Sequence, residues 1–408
     1  MPKVDKFYRQ VLPNGLKVIF ERRDIPLVVT MAATKFGSGY EPAGIKGIAH
    51  LMEHTVFRRT KTRTSQEVTS LIENQGGKLN AFTDDTITAY YSKLRSDHFE
   101  IGMDVISDIA LNPALMKRDM DMEKKIVLQE IKMNHDNPAR HALHKLIEQL
   151  YANPFGMSGL GTPETVSRIT KTMMQKYHSI YYSPSNMVMS VVGKAEVDHI
   201  WNLSRKYFMK KSVQRQIDKI QKPTISAGPF GNYIEKRREM DQAHVMLGYH
   251  MPTLQNKLRY AAEIFNNILG CGFTSKLFQQ IREKRGLAYA VYSDVSQDVD
   301  YALGYIYMGT DKEKADSATK LALAELKKMQ KIDIKEVNEA KERLIGKYAL
   351  KNENSEDVAL NLLMEELNGD GKNYYKYVAN VSEVKLEDVR QVAKIAQIAS
   401  SMILPEDK

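Results

Sequence analysis

The chain has 408 residues, of which 43% are hydrophobic and 27% are charged. This balance is typical of packed globular proteins, and the length favours two domains or two repeats over a single core. No apolar run approaches the roughly 20 residues that a membrane-spanning helix needs, so we expect no membrane association. The net charge of +9 comes mainly from scattered lysines without interleaved aromatic residues, so we expect no nucleic-acid partner.

The opening segment MPKVDKFYRQVLPNGLKVIF has neither an apolar signal region nor a cleavage site of small residues. Cys271 is the only cysteine, which excludes an intrachain disulfide bond and favours a reducing compartment. We therefore expect a cytoplasmic protein.

The first half predicts strands interleaved with amphipathic helices. In chain order the predicted elements are the strand PLVVTMAATKF, the helices GIAHLMEHTVF and SQEVTSLIENQ, the strands GGKLNAFT and TAYYSKL, and the helices HFEIGMDVISDIAL and DMEKKIVLQEIKM. Strands that alternate with helices in this way indicate an α/β or α+β domain.

The second half predicts a similar order of elements, so the sequence indicates two copies of one unit. The elements are the strand AHVMLGYHM, the helices LRYAAEIFNNIL and TSKLFQQIREK, the strands GLAYAVYSDV and ALGYIYMGT, and the helices KADSATKLALAELKKM and IKEVNEAKERLIGKYAL. A polar, proline-containing segment separates the copies. We predict an N-terminal half at 1–212, a linker at 213–227 and a C-terminal half at 228–408.

The repeat is unequal at one helix. GIAHLMEHTVF sets two histidines and a glutamate among apolar residues, whereas its counterpart LRYAAEIFNNIL has no histidine. Buried ionisable groups cost free energy unless a partner compensates them. Because the polar cluster occurs in only one copy, we interpret it as functional rather than as packing.

The spacing of this cluster predicts a metal site. His50 and His54 are four residues apart on a helix, so both imidazoles can reach one ion. Glu53 lies roughly 60° from His50 around the helix and borders the same site. The order H-x-x-E-H is a metallopeptidase signature, and with one further carboxylate it matches catalytic zinc. The alternative is that the two histidines have their hydrogen bonds satisfied within the fold and lie near a surface glutamate, without a metal ion.

A third ligand has to come from another segment, and the helix DMEKKIVLQEIKM offers two candidates. Glu123 and Glu130 are seven residues apart and therefore share one helix face. The neighbours of Glu130 are more apolar than those of the lysine-flanked Glu123, so we predict Glu130 as the buried ligand. Glu123 suits a hydrogen bond to a ligating imidazole. Its alternative is a solvent-facing carboxylate paired with Lys124 or Lys125.

Three histidines in NHDNPARHALH are rival ligands. His141 and His144 are spaced to share a helix face, but both follow the helix-breaking Pro138 and lack an apolar context. We therefore interpret these two and His135 as surface or interhelix histidines. The other histidines have no predicted role: His98, His178, His199, His244 and His250.

Taken together, these motifs resemble the M16 family of inverzincin metallopeptidases, which includes pitrilysin, insulin-degrading enzyme and mitochondrial processing peptidase. The resemblance covers essentially the whole chain and is to the short-chain members. It rests on LPNGLKV, GIAHLMEHTVF, GGKLNAFTDDTITAYY, EKKIVLQEI, YYSPSNMVMSVVG and TSKLFQQIREKRGLAY. The sequence departs from the usual family pattern at two places: FRRT replaces Phe-Lys-Gly-Thr after the histidine-bearing helix, and Leu51-Met52 replaces Phe-Leu within it. Neither departure touches a predicted ligand.

For the first half, the resemblance implies one zinc ion per chain, bound by His50, His54 and Glu130. It implies that Glu53 is the general base that activates water at the metal. It also implies that Glu123 supports a ligating histidine.

For the second half, the resemblance implies that Arg282 and Tyr289 bind substrate and stabilise the oxyanion. The implied fold is α/β (α+β) with two similar halves, each a mixed, mainly antiparallel sheet packed with helices. Short-chain members pair to enclose a chamber, so the resemblance also implies a homodimer.

We therefore expect a zinc endopeptidase that hydrolyses short or unfolded peptides. GGKLNAFT begins with two glycines and continues with small residues, so a peptide can pair with it as an added strand. The alternative for this segment is a plain hairpin or bulge. The alternative function is a non-catalytic or partner-dependent M16 subunit of a larger complex. Since the zinc motif and the arginine–tyrosine motif lie on one chain, we expect a self-sufficient enzyme.

Overall fold

The structure is a computed structural model that describes residues 6–209 and 225–406. Most of the predicted linker, 213–224, therefore lies outside the described residues. The strands of the described part are β1 (Phe7–Val11), β2 (Lys17–Arg22), β3 (Leu27–Thr34), β4 (Lys78–Thr83), β5 (Thr88–Arg95), β6 (Met187–Gly193), β7 (Asn232–Arg237), β8 (Ala243–His250), β9 (Ala290–Gln297), β10 (Ala302–Thr310) and β11 (Ala399–Pro405).

The described part of the chain has fourteen α-helices. They are α1 (Ile48–Val56), α2 (Ser65–Glu73), α3 (Phe99–Leu111), α4 (Lys117–Asp136), α5 (Pro138–Leu150), α6 (Pro163–Arg168), α7 (Lys171–Tyr181), α8 (Val197–Phe208), α9 (Arg259–Gly270), α10 (Ala315–Lys328), α11 (Ile334–Lys351), α12 (Ser355–Leu367), α13 (Tyr377–Glu383) and α14 (Leu386–Val392). Among the described residues, no helix combines the length and the apolar character needed to cross a bilayer.

Side-chain caps explain where two of these helices begin. At α2, the hydroxyl of Thr64 accepts a hydrogen bond from the backbone N–H of Glu67, and the Glu67 carboxylate accepts one from the backbone N–H of Thr64. At α5, Pro138 occupies the first turn and the Asn137 side chain accepts from the Arg140 backbone N–H at 3.0 Å. This cap makes α4 and α5 two helices rather than one.

The chain forms two compact units that are not continuous in sequence. Among the described residues, unit 1 comprises 6–131, 158–209 and 350–376, and unit 2 comprises 132–157, 225–349 and 377–406. The predicted halves, 1–212 and 228–408, differ from these units by the segments 132–157 and 350–376. The predicted domain boundaries therefore stay a prediction about the sequence repeat.

Unit 1 contains a six-stranded mixed sheet. Its strand order is β1-β2-β6-β3-β5-β4, and only the β2–β6 pair is parallel. Helix α3 packs on β3 and β5, α12 packs on β3 and β6, and α1 contacts β4 and β5. The strand β4 therefore forms one edge of the sheet, next to the helix that carries the histidines.

Unit 2 contains a five-stranded mixed sheet with the order β7-β11-β8-β10-β9. Its one parallel pair is β7–β11, which corresponds in position to β2–β6 of the first sheet. Helix α9 follows β8 as α1 follows β3, and α5 packs on β8 and β11. The predicted fold class of two similar halves, each with a mixed, mainly antiparallel sheet, is confirmed.

One predicted helix, TSKLFQQIREK, differs in type from an ordinary α-helix. The structure forms a π-helix at Phe278–Glu283, where the Lys284 N–H donates to the carbonyl of Gln279, five residues earlier, at 3.1 Å. The periodicity of apolar residues predicts a helix here, but it does not distinguish a π-helix from an α-helix.

Candidate metal centre

The centre is built on α1, whose apolar side is fully buried in the core of unit 1. Ile48, Leu51, Met52 and Val56 have no exposed surface. Since these residues recur every three to four positions, they fix the rotation of the helix. His50, Glu53 and His54 consequently face away from the core, on the other side of the helix.

The start of α1 is held by the buried carboxylate of Glu41. Its oxygens accept hydrogen bonds from the backbone N–H groups of Gly47, at 2.8 Å, and Ala49, at 2.6 Å. Gly47 has a φ of 95°, and a Cβ atom there would lie 2.6 Å from the carbonyl oxygen of Leu160. A glycine is required at this position for both reasons. The cap therefore sets the direction of α1 three residues before His50.

Two further charged groups are buried close to this cap. Lys46 is fully buried and its ammonium group donates to the backbone carbonyl of Ser38 at 2.6 Å. Burial raises the pKa of Glu41 to about 7 against the opposing effects of Lys46 and the two backbone donors, and burial lowers the pKa of Lys46.

The side chains of His50, His54 and Glu130 converge. The Nε2 atom of His50 lies 3.5 Å from Oε2 of Glu130, and the Nε2 atom of His54 lies 3.7 Å from the same oxygen. One ligand atom from each residue lies within 4.8 Å of the other two. Tetrahedral ligands at about 2.05 Å from zinc are about 3.3 Å apart, so this spacing suits one ion.

His54 is oriented by Glu123, which also contacts Arg58. The carboxylate Oε2 of Glu123 is 3.0 Å from Nδ1 of His54, and because a carboxylate only accepts, Nδ1 carries the proton. The Nε atom of Arg58 donates to Oε1 of Glu123. This arrangement leaves the Nε2 lone pair of His54 free to point toward Glu130 and His50.

The predicted order of burial for the two glutamates of α4 is wrong. The Glu123 side chain is 3% exposed, whereas the Glu130 side chain is 34% exposed. The flanking Lys124 does not pair with Glu123 but donates to the backbone carbonyls of Ser167 and Ile169. Glu123 is the more buried residue because His54 and Arg58 cover it.

The protonation states of His50 and His54 leave a ring nitrogen of each able to bind a cation. Burial, followed by repulsion from His54, lowers the pKa of His50 to about 4, so His50 is neutral at pH 7. The hydrogen bond to Glu123 raises the pKa of His54, and that bond holds the proton on Nδ1 rather than on Nε2. Among the described residues, Nδ1 of His50 is buried without a hydrogen-bond partner. Two imidazoles and one carboxylate form a donor set that fits zinc.

Glu53 lies on the same side of α1 as the histidines and is half-buried. The hydroxyl group of Thr83, the last residue of β4, donates to Oε2 of Glu53 at 2.7 Å. Burial raises the pKa of Glu53, although Thr83 and His54 act in the opposite direction. A carboxylate with a raised pKa is a stronger base, which is the property a general base needs.

Arg282 and Tyr289 are exposed residues of unit 2. Arg282 lies in the π-helix with its guanidinium 5.0 Å from the ring centre of Phe278. Tyr289 precedes β9, and its ring covers Gly309, where any Cβ atom would lie 2.6 Å from the phenol oxygen. Their part in the site stays a prediction.

The spacing of His141 and His144 indicates that these two histidines could bind one ion together, but the structure does not bring them into one group. The described residues contain two groups that could hold a metal ion, and His144 belongs to neither. The second group combines His135 and His141 with Glu235 of β7. Sequence spacing does not show this group because its third member comes from a distant strand.

Three contributors to the centre were missed in the sequence. Arg58 lies four residues after His54, so helical spacing could have placed it near the partner of that histidine. Thr83 ends the predicted strand GGKLNAFT, but its contact with Glu53 depends on how the sheet packs. Glu41 has no local signal, because its role as a cap depends on a loop of five residues between it and Gly47.

Both halves of the chain match known protein families. Residues 29–163 match the family described as Insulinase (Peptidase family M16), and residues 168–344 match the family described as Peptidase M16 inactive domain. A zinc protease of Bacillus subtilis, described as uncharacterised, is 30% identical over 95% of this chain and 94% of its own length. Another from Mycobacterium leprae is 35% identical over 70% of this chain, and the match spans 65% of that relative.

Solved structures agree on the fold. A protease from Helicobacter pylori superimposes with a TM-score of 0.91 at 24% identity, over 98% of this chain and 99% of that one. A structure described as a peptidase M16 inactive domain from Pseudomonas fluorescens superimposes with a TM-score of 0.88 at 19% identity, over 98% of each chain. Because the Bacillus subtilis relative matches over nearly its whole length and the two family descriptions cover both halves, the chain belongs to the M16 (insulinase) family of peptidases.

Proposed function

We propose that the protein is a zinc-dependent endopeptidase that hydrolyses short or unfolded peptides. The observation that carries this proposal is the convergence of His50, His54 and Glu130 on one point, with Glu53 beside them on the same helix. The names of the relatives as zinc proteases support the metal, and we assign one zinc ion per chain.

Each residue near the metal has a distinct part in this proposal. His50, His54 and Glu130 would hold zinc, which when bound polarises a peptide carbonyl and makes water more acidic. Glu53 accepts the proton of the attacking water and passes it to the leaving nitrogen. The hydroxyl of Thr83 holds one oxygen of Glu53 in place, and burial keeps the carboxylate basic.

The edge strand β4 suits the backbone of an extended peptide. It lies at the end of the sheet order in unit 1, and it contacts α1. In an antiparallel pair of strands, hydrogen-bonded and non-hydrogen-bonded residue pairs alternate. Asp84 and Ile87 form a hydrogen-bonded pair, so the pair of Ala81 and Tyr90, three positions away, is not hydrogen-bonded, and the N–H group of Ala81 points away from β5. That N–H is bonded to the Asn80 side chain at 2.9 Å, which a peptide carbonyl would replace. Pairing through the backbone selects little for sequence.

The remaining parts of the proposal concern the second unit and the assembly. Arg282 and Tyr289 are assigned to substrate binding and to stabilisation of the oxyanion. We assign a homodimer as the assembly and the cytoplasm as the compartment. The sole cysteine, Cys271, supports the latter assignment.

The test replaces Glu53 by Gln in the zinc-loaded full chain and measures cleavage of a quenched fluorescent peptide. We expect kcat to fall by about a hundredfold to ten-thousandfold while the zinc content is unchanged, because Gln cannot accept the proton. Glu73→Gln, at an exposed position of α2, is the matched control and should cleave at the wild-type rate. Wild-type turnover by Glu53→Gln would exclude Glu53 as the base.

One observation favours a second candidate function, a non-catalytic or partner-dependent M16 subunit. Residues 168–344 match a family that is described as inactive. For this candidate, the zinc-loaded wild-type protein alone would not cleave peptides under any condition. Cleavage by the purified homomeric protein, lost on treatment with a chelator, would exclude it.

A further inference from the structure

A second group of ligating side chains lies in unit 2. His135 belongs to the last turn of α4, His141 to the first turns of α5, and Glu235 to β7. On one continuous helix, residues six apart would point about 120° away from each other and lie about 9 Å apart along the axis. The break between α4 and α5, at Asn137 and Pro138, allows the two histidines to meet. Their rings lie 4.5 Å apart between centres, at an angle of 68°.

The carboxylate of Glu235 completes the group. The Nε2 atom of His141 lies 2.9 Å from Oε2 of Glu235. One ligand atom from each of the three residues lies within 4.8 Å of the other two, the same limit that the His50, His54 and Glu130 group meets. His141 is buried, Glu235 is half-buried and His135 is exposed. The group is therefore anchored on its inner side and open to solvent at His135.

Neighbouring residues fix the orientation of these side chains. The hydroxyl of Tyr233 donates to Oε2 of Glu235 at 2.6 Å, and Nε of Arg237 donates to Oε1 at 2.5 Å. The same guanidinium donates from Nη1 to the backbone carbonyl of His135 at 2.7 Å. Such outer contacts hold the ligands of known metal sites in position.

We propose that His135, His141 and Glu235 form a second metal site, distinct from the centre on α1, which takes a first-row transition ion such as Zn²⁺. Two imidazoles and one carboxylate are the donor set that these ions prefer, and the exposed side leaves room for water as a fourth ligand. The ion takes the place of the proton on Nε2 of His141, and the imidazole stays neutral because its single proton then lies on Nδ1.

Arg237 limits the affinity of this site. Its Nη2 atom lies 3.4 Å from Nε2 of His135, so a positive charge already borders the position of the ion. Repulsion between two cations at short range weakens binding. We therefore expect the second site to bind zinc more weakly than the centre on α1, and removal of the charge to tighten it.

The test is a titration of the metal-free full chain with Zn²⁺ in competition with a chromophoric chelator. We expect the wild-type protein to bind two equivalents. His135→Ala and His141→Ala should each weaken the second equivalent at least tenfold and leave the first unchanged. His144→Ala, on the same helix but outside the group, is the matched control and should bind both equivalents as the wild type does.

Several results would overturn this proposal. They are a single equivalent bound by the wild type, wild-type affinity in both histidine variants, or an equal loss in His144→Ala, which would indicate unspecific binding. Because His135 is exposed, its variant keeps the core intact even if His141→Ala does not fold. Arg237→Gln removes the charge but keeps a side-chain N–H group that can donate to Oε1 of Glu235, so it should bind the second equivalent more tightly. Unchanged or weaker binding would contradict the part given to Arg237. None of these readouts depends on peptidase activity.

Discussion

At the scale of single residues, the buried carboxylate of Glu41 links the start of α1 to pH. It accepts two backbone hydrogen bonds at the turn that leads into His50, and it lies in a region that also buries Lys46. Burial raises its pKa from an ordinary value of 4.5 to about 7. The native state therefore holds this proton more tightly than the unfolded state does, between about pH 4.5 and pH 7.

This shift predicts how stability depends on pH. The stabilisation that comes from the proton on Glu41 is fully present below about pH 4.5 and is lost as the pH rises through about 7. The difference in pKa corresponds to about 3 kcal/mol. Glu41→Gln cannot titrate, so the free energy of unfolding of the wild type minus that of Glu41→Gln should fall by about 3 kcal/mol across this range. Urea unfolding of both proteins at several pH values measures this difference, and a constant difference would contradict the prediction.

A second prediction at this scale concerns the support of His54. Glu123 fixes the tautomer of this histidine, and loss of such a partner typically costs tenfold to a hundredfold in metal affinity. We expect Glu123→Ala to weaken zinc binding by about this factor, and Glu123→Gln to keep part of the affinity because the amide oxygen still accepts from Nδ1. Competition with a chelator measures both.

Arg58 supplies the matched comparison. Arg58→Ala removes the donor to Oε1 of Glu123 but leaves the bond to His54, so we expect a smaller loss, below about tenfold. Arg59→Ala, which removes a neighbouring guanidinium paired with Asp119, should leave the affinity unchanged. If Glu123→Ala binds zinc as tightly as the wild type, the proposed support of His54 is wrong.

The residues of the site differ in how far the sequence could predict them. His50, Glu53 and His54 share one helix, so their relation follows from helical geometry alone. The predicted order of burial of Glu123 and Glu130 was wrong, because burial depends on side chains that arrive from α1 and the residues after it, although Glu130 is the glutamate that meets the two histidines. Glu41 and Thr83 could not be predicted for the same reason: each contacts the site through packing of segments distant in sequence.

At the scale of elements, the hypothesis that a peptide substrate binds as an added strand depends on the edge of β4. Ala81 stands opposite Tyr90 of β5 and directs its N–H to the free side of the strand. The strand β1 is the other edge of the same sheet, five strands away. Val11 of β1 stands next to the hydrogen-bonded pair of Leu12 and Leu16, so its N–H also points outward.

These two edges allow a matched test. Ala81→Pro removes one outward donor without removing a hydrogen bond to β5, so we expect kcat/KM to fall about tenfold through the loss of one hydrogen bond to the peptide. Val11→Pro removes the equivalent donor at β1 and should keep the wild-type kcat/KM. Steady-state cleavage of an unstructured peptide measures both. Equal values for Ala81→Pro and Val11→Pro would exclude peptide pairing at β4.

The strands and helices predicted in the two halves form in the structure because each has a strong apolar period, whereas the helices α6 to α8 and α12 to α14 were not predicted. The predicted helix GIAHLMEHTVF corresponds to α1, and the predicted strand ALGYIYMGT has the bounds of β10. The π-helix at Phe278–Glu283 was not predictable from periodicity, since a shift of one residue in hydrogen bonding leaves the apolar positions nearly unchanged.

At the scale of the whole molecule, the two compact units each use a segment from the other half of the sequence. Helix α12 belongs to unit 1, where it packs on β3 and β6 and buries Val358, Leu362 and Leu363 completely. Helix α5 belongs to unit 2, where Leu146 and Leu150 pack in one apolar cluster with residues of β8 and β11. A repeat in sequence predicts two similar sheets, but it does not show which half supplies the helix that covers each sheet.

This exchange predicts that neither half folds alone. A fragment of residues 1–212 lacks α12, so β3 and β6 lose the burial of several large apolar side chains, each worth about 1.5–3 kcal/mol. We expect the fragments 1–212 and 228–408 to show no cooperative thermal unfolding when prepared separately. The full chain cut at a protease site placed within 213–227 should unfold cooperatively, because both pieces are then present after folding. Circular dichroism measures both cases, and a cooperative transition of 1–212 alone would show that α12 is dispensable to unit 1.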